Sequence, residues 1–179
     1  MFKQRMVAAT TFLLLYGISA GAQKSSKATD PLAQFQVLEG VWQGESEGFG
    51  QTSKVTHEWK KVIGGRFLRL KTRSVSQDED GRESVHEDVG YISWSPDENI
   101  PRFRQFLSEG FVNTFRLAKA KEPARGFNFE PESTEGHKTL AARMTLRFDK
   151  ADAYEMILEL GAKGKPLKPC QTMRLKRVR

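Results

Sequence analysis

Three histidines and one cysteine bound the chemistry open to this chain. His57 lies in Lys54–Lys60, where Val55, His57 and Trp59 alternate with Thr56 and Glu58. On a face shared with Val55 and Trp59 it has two readings. It is a polar anchor or iron ligand for a bound molecule, or it is a hydrogen-bonded histidine of the core. His86-Glu87-Asp88 sets an imidazole two residues from a carboxylate, the residue types of acid–base work. In an alternating strand, however, such polar residues are expected to face solvent or neighbouring strands. His137 follows Glu135-Gly136 in a turn and carries no signal. The lone Cys170 rules out an intramolecular disulfide and a thiolate metal cluster. It reads as a small buried hydrophobe, with thiolate ligation of iron as the alternative.

Nucleophile and phosphate motifs are missing. Phe106-Leu107-Ser108-Glu109-Gly110 lacks the first glycine of a serine elbow and has no helix after it. Gly48-Phe49-Gly50 likewise precedes no helix that could cradle a phosphate. No HExxH or aspartate-rich calcium loop occurs. The residues therefore give no positive sign of an enzyme, and no catalytic residue or metal ligand is assigned. Arg69, Lys71 and Arg73 alternate with Leu68, Leu70 and Thr72. Turned inward they could hold a carboxylate; burying three cations is costly, so a solvated outer face is expected.

The elements that position these groups are short and β-like. Period-two runs recur between turn signals: Lys54–Lys60 before Gly64-Gly65, Phe67–Val75 before Asp78-Glu79-Asp80-Gly81, and Val85–Trp94 before Ser95-Pro96-Asp97. Others are Phe103–Leu107, Phe111–Leu117, Phe127–Phe129, Leu140–Phe148, Tyr154–Leu160 and Cys170–Val178. With every connection short, the expected fold is all-β: an antiparallel up-and-down barrel of about ten strands, calycin-like, with a sandwich as the alternative. Asp30-Pro31 suits a helix start, so Leu32, Phe35 and Leu38 should form one or two helical turns packed on one end of the sheet. LEGVWQGESEGFG, with glycines at 40, 44, 48 and 50 around Trp42, reads as a first strand bent or closely approached where side chains are absent.

Residues 1–22 place Lys3 and Arg5 before an apolar run that ends in Ala20-Gly21-Ala22. That is the pattern of a cleaved leader; a spanning helix needs about 20 apolar residues. The expected organisation is a signal peptide at 1–22, a polar tether at 23–30 and one barrel domain at 31–179, exported to the periplasm or secreted. The formal charge of +7 loses two units with the leader. The remaining cations are scattered among acids, so neither nucleic acid nor stable membrane insertion is expected.

Leu38, Gly40, Trp42, Gly44, Glu45, Glu47 and Gly48 form L-x-G-x-W-x-G-E-x-E-G, which resembles the opening of the nitrobindin-like haem-binding β-barrels, relatives of lipocalins and fatty-acid-binding proteins in the calycin group. Glu87–Ile92 and Leu175–Val178 are similar to later strands of that family and of related exported bacterial barrels. The resemblance implies a histidine in the last strand holding haem iron. Here that strand, CQTMRLKRVR, has none. No cofactor is expected on that account. The expected function is binding of a small, largely apolar molecule inside the barrel, with Trp42, His57, Trp59, Phe115, Met144 and Met156 on the cavity wall. The alternatives are a nitrobindin-like haem protein acting on reactive nitrogen species, and a barrel filled by its own side chains that serves an envelope partner.

Overall fold

A computed structural model describes residues 30–77, 80–118 and 125–178. The leader, most of the tether and the Asp78-Glu79 half of one turn lie outside the described residues. Ten strands follow one another: β1 (Gly40–Gly48), β2 (Gln51–Val62), β3 (Phe67–Gln77), β4 (Glu83–Ser95), β5 (Ile100–Phe106), β6 (Val112–Leu117), β7 (Gly126–Glu135), β8 (Leu140–Lys150), β9 (Ala153–Ala162) and β10 (Lys168–Arg177). Each pairs antiparallel with its neighbour in sequence, and β10 returns to β1, so the sheet is a closed up-and-down barrel without free edges. This is the expected architecture.

Closure depends on the glycines of β1. In the β1–β10 register Glu45 stands opposite Arg174, and Gly44 opposite Leu175. A Cβ on Gly44 would fall 1.8 Å from the Arg174 carbonyl oxygen, so the two backbones approach where only glycine fits. A Cβ on Gly48 would likewise fall 2.6 Å from the Cys170 carbonyl oxygen, so the seam requires Gly44 and Gly48, whereas Gly50 serves the following turn at φ +79°.

One end is stoppered. Residues Ala33–Leu38 form a 3₁₀ helix, and Leu32, Phe35 and Leu38 are fully buried against the sheet. The helix begins later than an Asp30 cap would give; Asp30 instead accepts the Leu32 N–H at 2.9 Å and caps the preceding turn. Phe35 packs on Phe127 with ring centroids 4.7 Å apart, and Trp42 Nε1 donates to Leu38 O at 2.7 Å. From β10, the Arg177 guanidinium lies 4.0 Å from the centre of the Trp42 ring and donates to the carbonyls of Val37 and Glu39. Above the stopper, Trp59, Phe103, Phe115 and Phe129 fill the lower barrel, with Phe103 5.9 Å from Phe115 and 5.5 Å from Phe129. Among the described residues, no helix is long and apolar enough to cross a membrane.

Candidate functional site

The other half of the barrel is hollow. Beneath the turns β1–β2, β3–β4, β5–β6, β7–β8 and β9–β10 lies a cavity of about 450 Å³, within the usual range of small-molecule sites. Its two walls differ in chemistry. Strands β8 to β10 contribute Leu140, Met144, Met156, Leu158, Leu160 and Met173, with Gln171 as the polar exception, donating to Ser46 Oγ at 3.0 Å. Strands β2 to β6 contribute Ser53, Thr72, Ser74, Ser76, Ser84, His86, Asp88, Gln105 and Asn113. Phe49, Leu107, Glu109 and Phe111 stand on turns or beside them.

Met144 and Met156 of the expected cavity wall lie on this apolar side. Trp42, His57, Trp59 and Phe115 also point inward but are buried in the packed half and are not among the lining residues. The helical stopper and its aromatic neighbours fill the space around them. His57 is in a closed network: Tyr154 Oη accepts from Trp59 Nε1 at 3.1 Å, and so has its own proton to give His57 Nδ1 at 2.6 Å. The imidazole is then neutral and carries its proton on Nε2, which is buried without a hydrogen-bond partner. Burial lowers its pKa to about 3.

His86 and Asp88 depart from expectation. They face into the barrel, and Asp88 is only 7% exposed. The physical reason is strand phase. Ile92 and Gly90 point inward, and a strand without a bulge must send Asp88, His86 and Ser84 to the same side. The hairpin β5–β6 then folds over them. His86 Nδ1 lies 3.0 Å from Ser108 Oγ and 3.3 Å from Glu109 Oε1, and His86 Nε2 lies 3.0 Å from Asp88 Oδ1. The last contact is close but out of line for a hydrogen bond, leaving Asp88 Oδ1 without a hydrogen-bond partner. Burial raises the pKa of this carboxyl group; His86 and a hydrogen bond from the Ser108 N–H oppose the rise. Ser108, His86 and Asp88 have the residue types of a nucleophile, base and orienting acid. Glu109 competes with Ser108 for the same ring nitrogen and Asp88 does not hold the other in line, so the ring is not fixed as that chemistry requires.

The basic face of β3 is outside, as expected: Arg69 pairs with Glu58 at 2.6 Å, and Arg73 lies 3.6 Å from Glu87. Among the described residues lining the cavity, none is lysine or arginine. Gln105 Oε1 is a second buried acceptor with no partner on the polar wall. The Cys170 thiol donates to Leu158 O at 3.3 Å, and burial pushes its pKa up to about 11, which disfavours the thiolate an iron would need.

No family profile matches the chain, and no curated protein matches it in sequence. Solved structures share its fold. It is similar to Rv2717c from M. tuberculosis, with 17% identity and a TM-score of 0.59 over 83% of this chain and 98% of that one. It is also similar to the S-type phycobiliprotein lyase CPES from Guillardia theta, with 10% identity and a TM-score of 0.54 over 81% of this chain and 90% of that one. At these identities the likeness is one of fold, a calycin-like barrel.

Proposed function

We propose that this chain is an exported binding barrel whose open half takes a small amphipathic molecule, with an apolar body against the methionine and leucine wall and a hydrogen-bond-donating group toward β3 to β5. The observation that carries this reading is the mismatch on the polar wall: Asp88 Oδ1 and Gln105 Oε1 are buried acceptors without a hydrogen-bond donor, and among the described residues no lysine or arginine lines the cavity. Unpaired buried acceptors are costly, and a ligand amine or hydroxyl would satisfy them. A carboxylate would add negative charge beside Asp88 and Glu109. The adaptable thioethers of Met144, Met156 and Met173 suit an apolar tail of variable shape.

The test is displacement of a neutral polarity-sensitive dye, Nile red, by dodecylamine and by dodecanoate, in buffer containing EDTA. The amine should displace it saturably, and the carboxylate at least about tenfold more weakly, a difference of about 1.4 kcal/mol. Equal displacement, or none by the amine, overturns the reading. Export rests on residues 1–22, and secreted material should begin at Gln23 on N-terminal sequencing; material still beginning at Met1 would refute it. A haem site of the nitrobindin kind does not fit this donor set, since the β10 residues on the cavity wall are Gln171 and Met173, and His57 is buried in the packed half and does not line the cavity.

A further inference from the structure

We infer that His86, Asp88 and Glu109 form a binding site for a divalent transition-metal ion, with zinc as the test ion, on the polar wall of the cavity. One donor atom from each of the three lies within 4.8 Å of the others. Donors held about 2.0 to 2.2 Å from a single zinc stand roughly 3 to 3.5 Å from one another, and the 3.0 Å between His86 Nε2 and Asp88 Oδ1 is that spacing. An imidazole with two carboxylates is a donor set suited to zinc or its neighbours, and the two negative charges neutralise the dication.

The ion accounts for what the side chains alone leave open. His86 alone meets Asp88 as an ion-pair contact, with Nε2 3.0 Å from an Oδ1 that lacks a well-formed hydrogen bond on a side chain only 7% exposed. An ion between Oδ1 and Nε2 satisfies both. Ser108 Oγ, 3.0 Å from Nδ1, then accepts the proton on the other ring nitrogen, the supporting contact that metal-bound histidines commonly have. The backbone places the donors by independent means: His86 and Asp88 by the two-residue repeat of β4, and Glu109 by the turn Leu107–Phe111, closed by Gly110 N–H to Leu107 O at 2.9 Å. Glu109 Oε1 now lies 3.3 Å from Nδ1; its half-exposed side chain must swing to the Nε2 side to reach the ion, which leaves Nδ1 to Ser108. Three protein donors leave a tetrahedral ion one open position. A zinc ion and a ligand amine would compete for Asp88 Oδ1, so the metal is titrated without organic ligand and the dye displacement is run in EDTA.

The experiment is calorimetric titration of untagged, chelator-stripped protein with zinc chloride, together with cobalt(II) absorption. One zinc per chain is expected, with a four- or five-coordinate cobalt spectrum. Asp88→Asn, His86→Gln and Glu109→Gln should each weaken zinc binding by at least about tenfold. Glu87→Gln, on the same strand but facing outward, should leave it unchanged. Glu109 is on an exposed turn, so its variant remains informative even if a β4 substitution unfolds the barrel. Zinc bound equally well by Asp88→Asn and Glu109→Gln, or no zinc bound by the wild type, overturns the inference. Dye displacement in EDTA is unaffected by either result, so the two proposals fail separately.

Discussion

At the scale of single residues, His57 is a buried neutral imidazole whose only partner is Tyr154 Oη, and that has a consequence for stability. Its folded pKa, about 3, is lowered from the ordinary 6.5, so between these values the unfolded chain binds a proton that the folded chain does not. Stability is therefore full above about pH 6.5 and falls as pH drops toward 3. At about 1.4 kcal/mol per pH unit this gap amounts to something on the order of 5 kcal/mol. The chain's other titrating groups are common to wild type and His57→Gln, so the difference between their profiles from pH 7 to 5 isolates this histidine. Urea melts should show wild-type stability dropping by about 2 kcal/mol across that interval, and His57→Gln should flatten that part of the profile relative to wild type. A variant that kept the full slope would mean that another group titrates there. Cys170 is the contrasting case, a half-buried thiol that donates to Leu158 O and is held protonated.

At the scale of elements, the alternation of apolar side chains revealed the strands and the glycine-rich opening revealed β1, because a closed barrel repeats one local rule ten times. Leu32, Phe35 and Leu38 were legible as an end-packing turn for the same reason, although the start of the helix was not, since Asp30 caps the turn before it. The polar wall was hidden by the expectation that polar residues point outward. Phase was the available signal. On β3 the inward series Leu68, Leu70 runs on through Thr72, Ser74 and Ser76, and on β4 Ile92 and Gly90 run on to Asp88 and His86. The contact of Glu109 with His86 depends on how the β5–β6 hairpin folds across the cavity, and no spacing in the sequence encodes that. The closing seam gives this scale its prediction. Gly44→Ala puts a methyl group into the Arg174 carbonyl and should cost about 3 kcal/mol or more. Gly50→Ala, at φ +79° but with open space around it, should cost only about 1 kcal/mol of backbone strain. Thermal melts of the two variants that matched would mean the seam can relax.

At the scale of the molecule, the barrel divides into a lower half that is packed and an upper half that is hollow, and the two divide stability from binding. Aromatic rings, the 3₁₀ stopper and the Arg177 clasp concentrate apolar burial below. Above, small hydroxyl side chains on β3 leave room where larger ones would have filled it. Substitutions in the two halves should accordingly behave in opposite ways. Phe129→Ala removes a fully buried ring from the lower core and should cost about 3 to 5 kcal/mol in a urea melt. The dodecylamine affinity of its folded fraction should stay within about threefold of wild type, under 1 kcal/mol. Ser74→Leu, on a nearly buried cavity-facing position, adds apolar volume to empty space and should leave stability within about 1 kcal/mol. It should nonetheless weaken dodecylamine by at least about tenfold, because the branched side chain occupies volume the ligand needs. If Phe129→Ala weakened binding as much as Ser74→Leu did, the lower core would be shaping the ligand site directly. If Ser74→Leu instead left binding intact, the cavity would not be where the ligand sits.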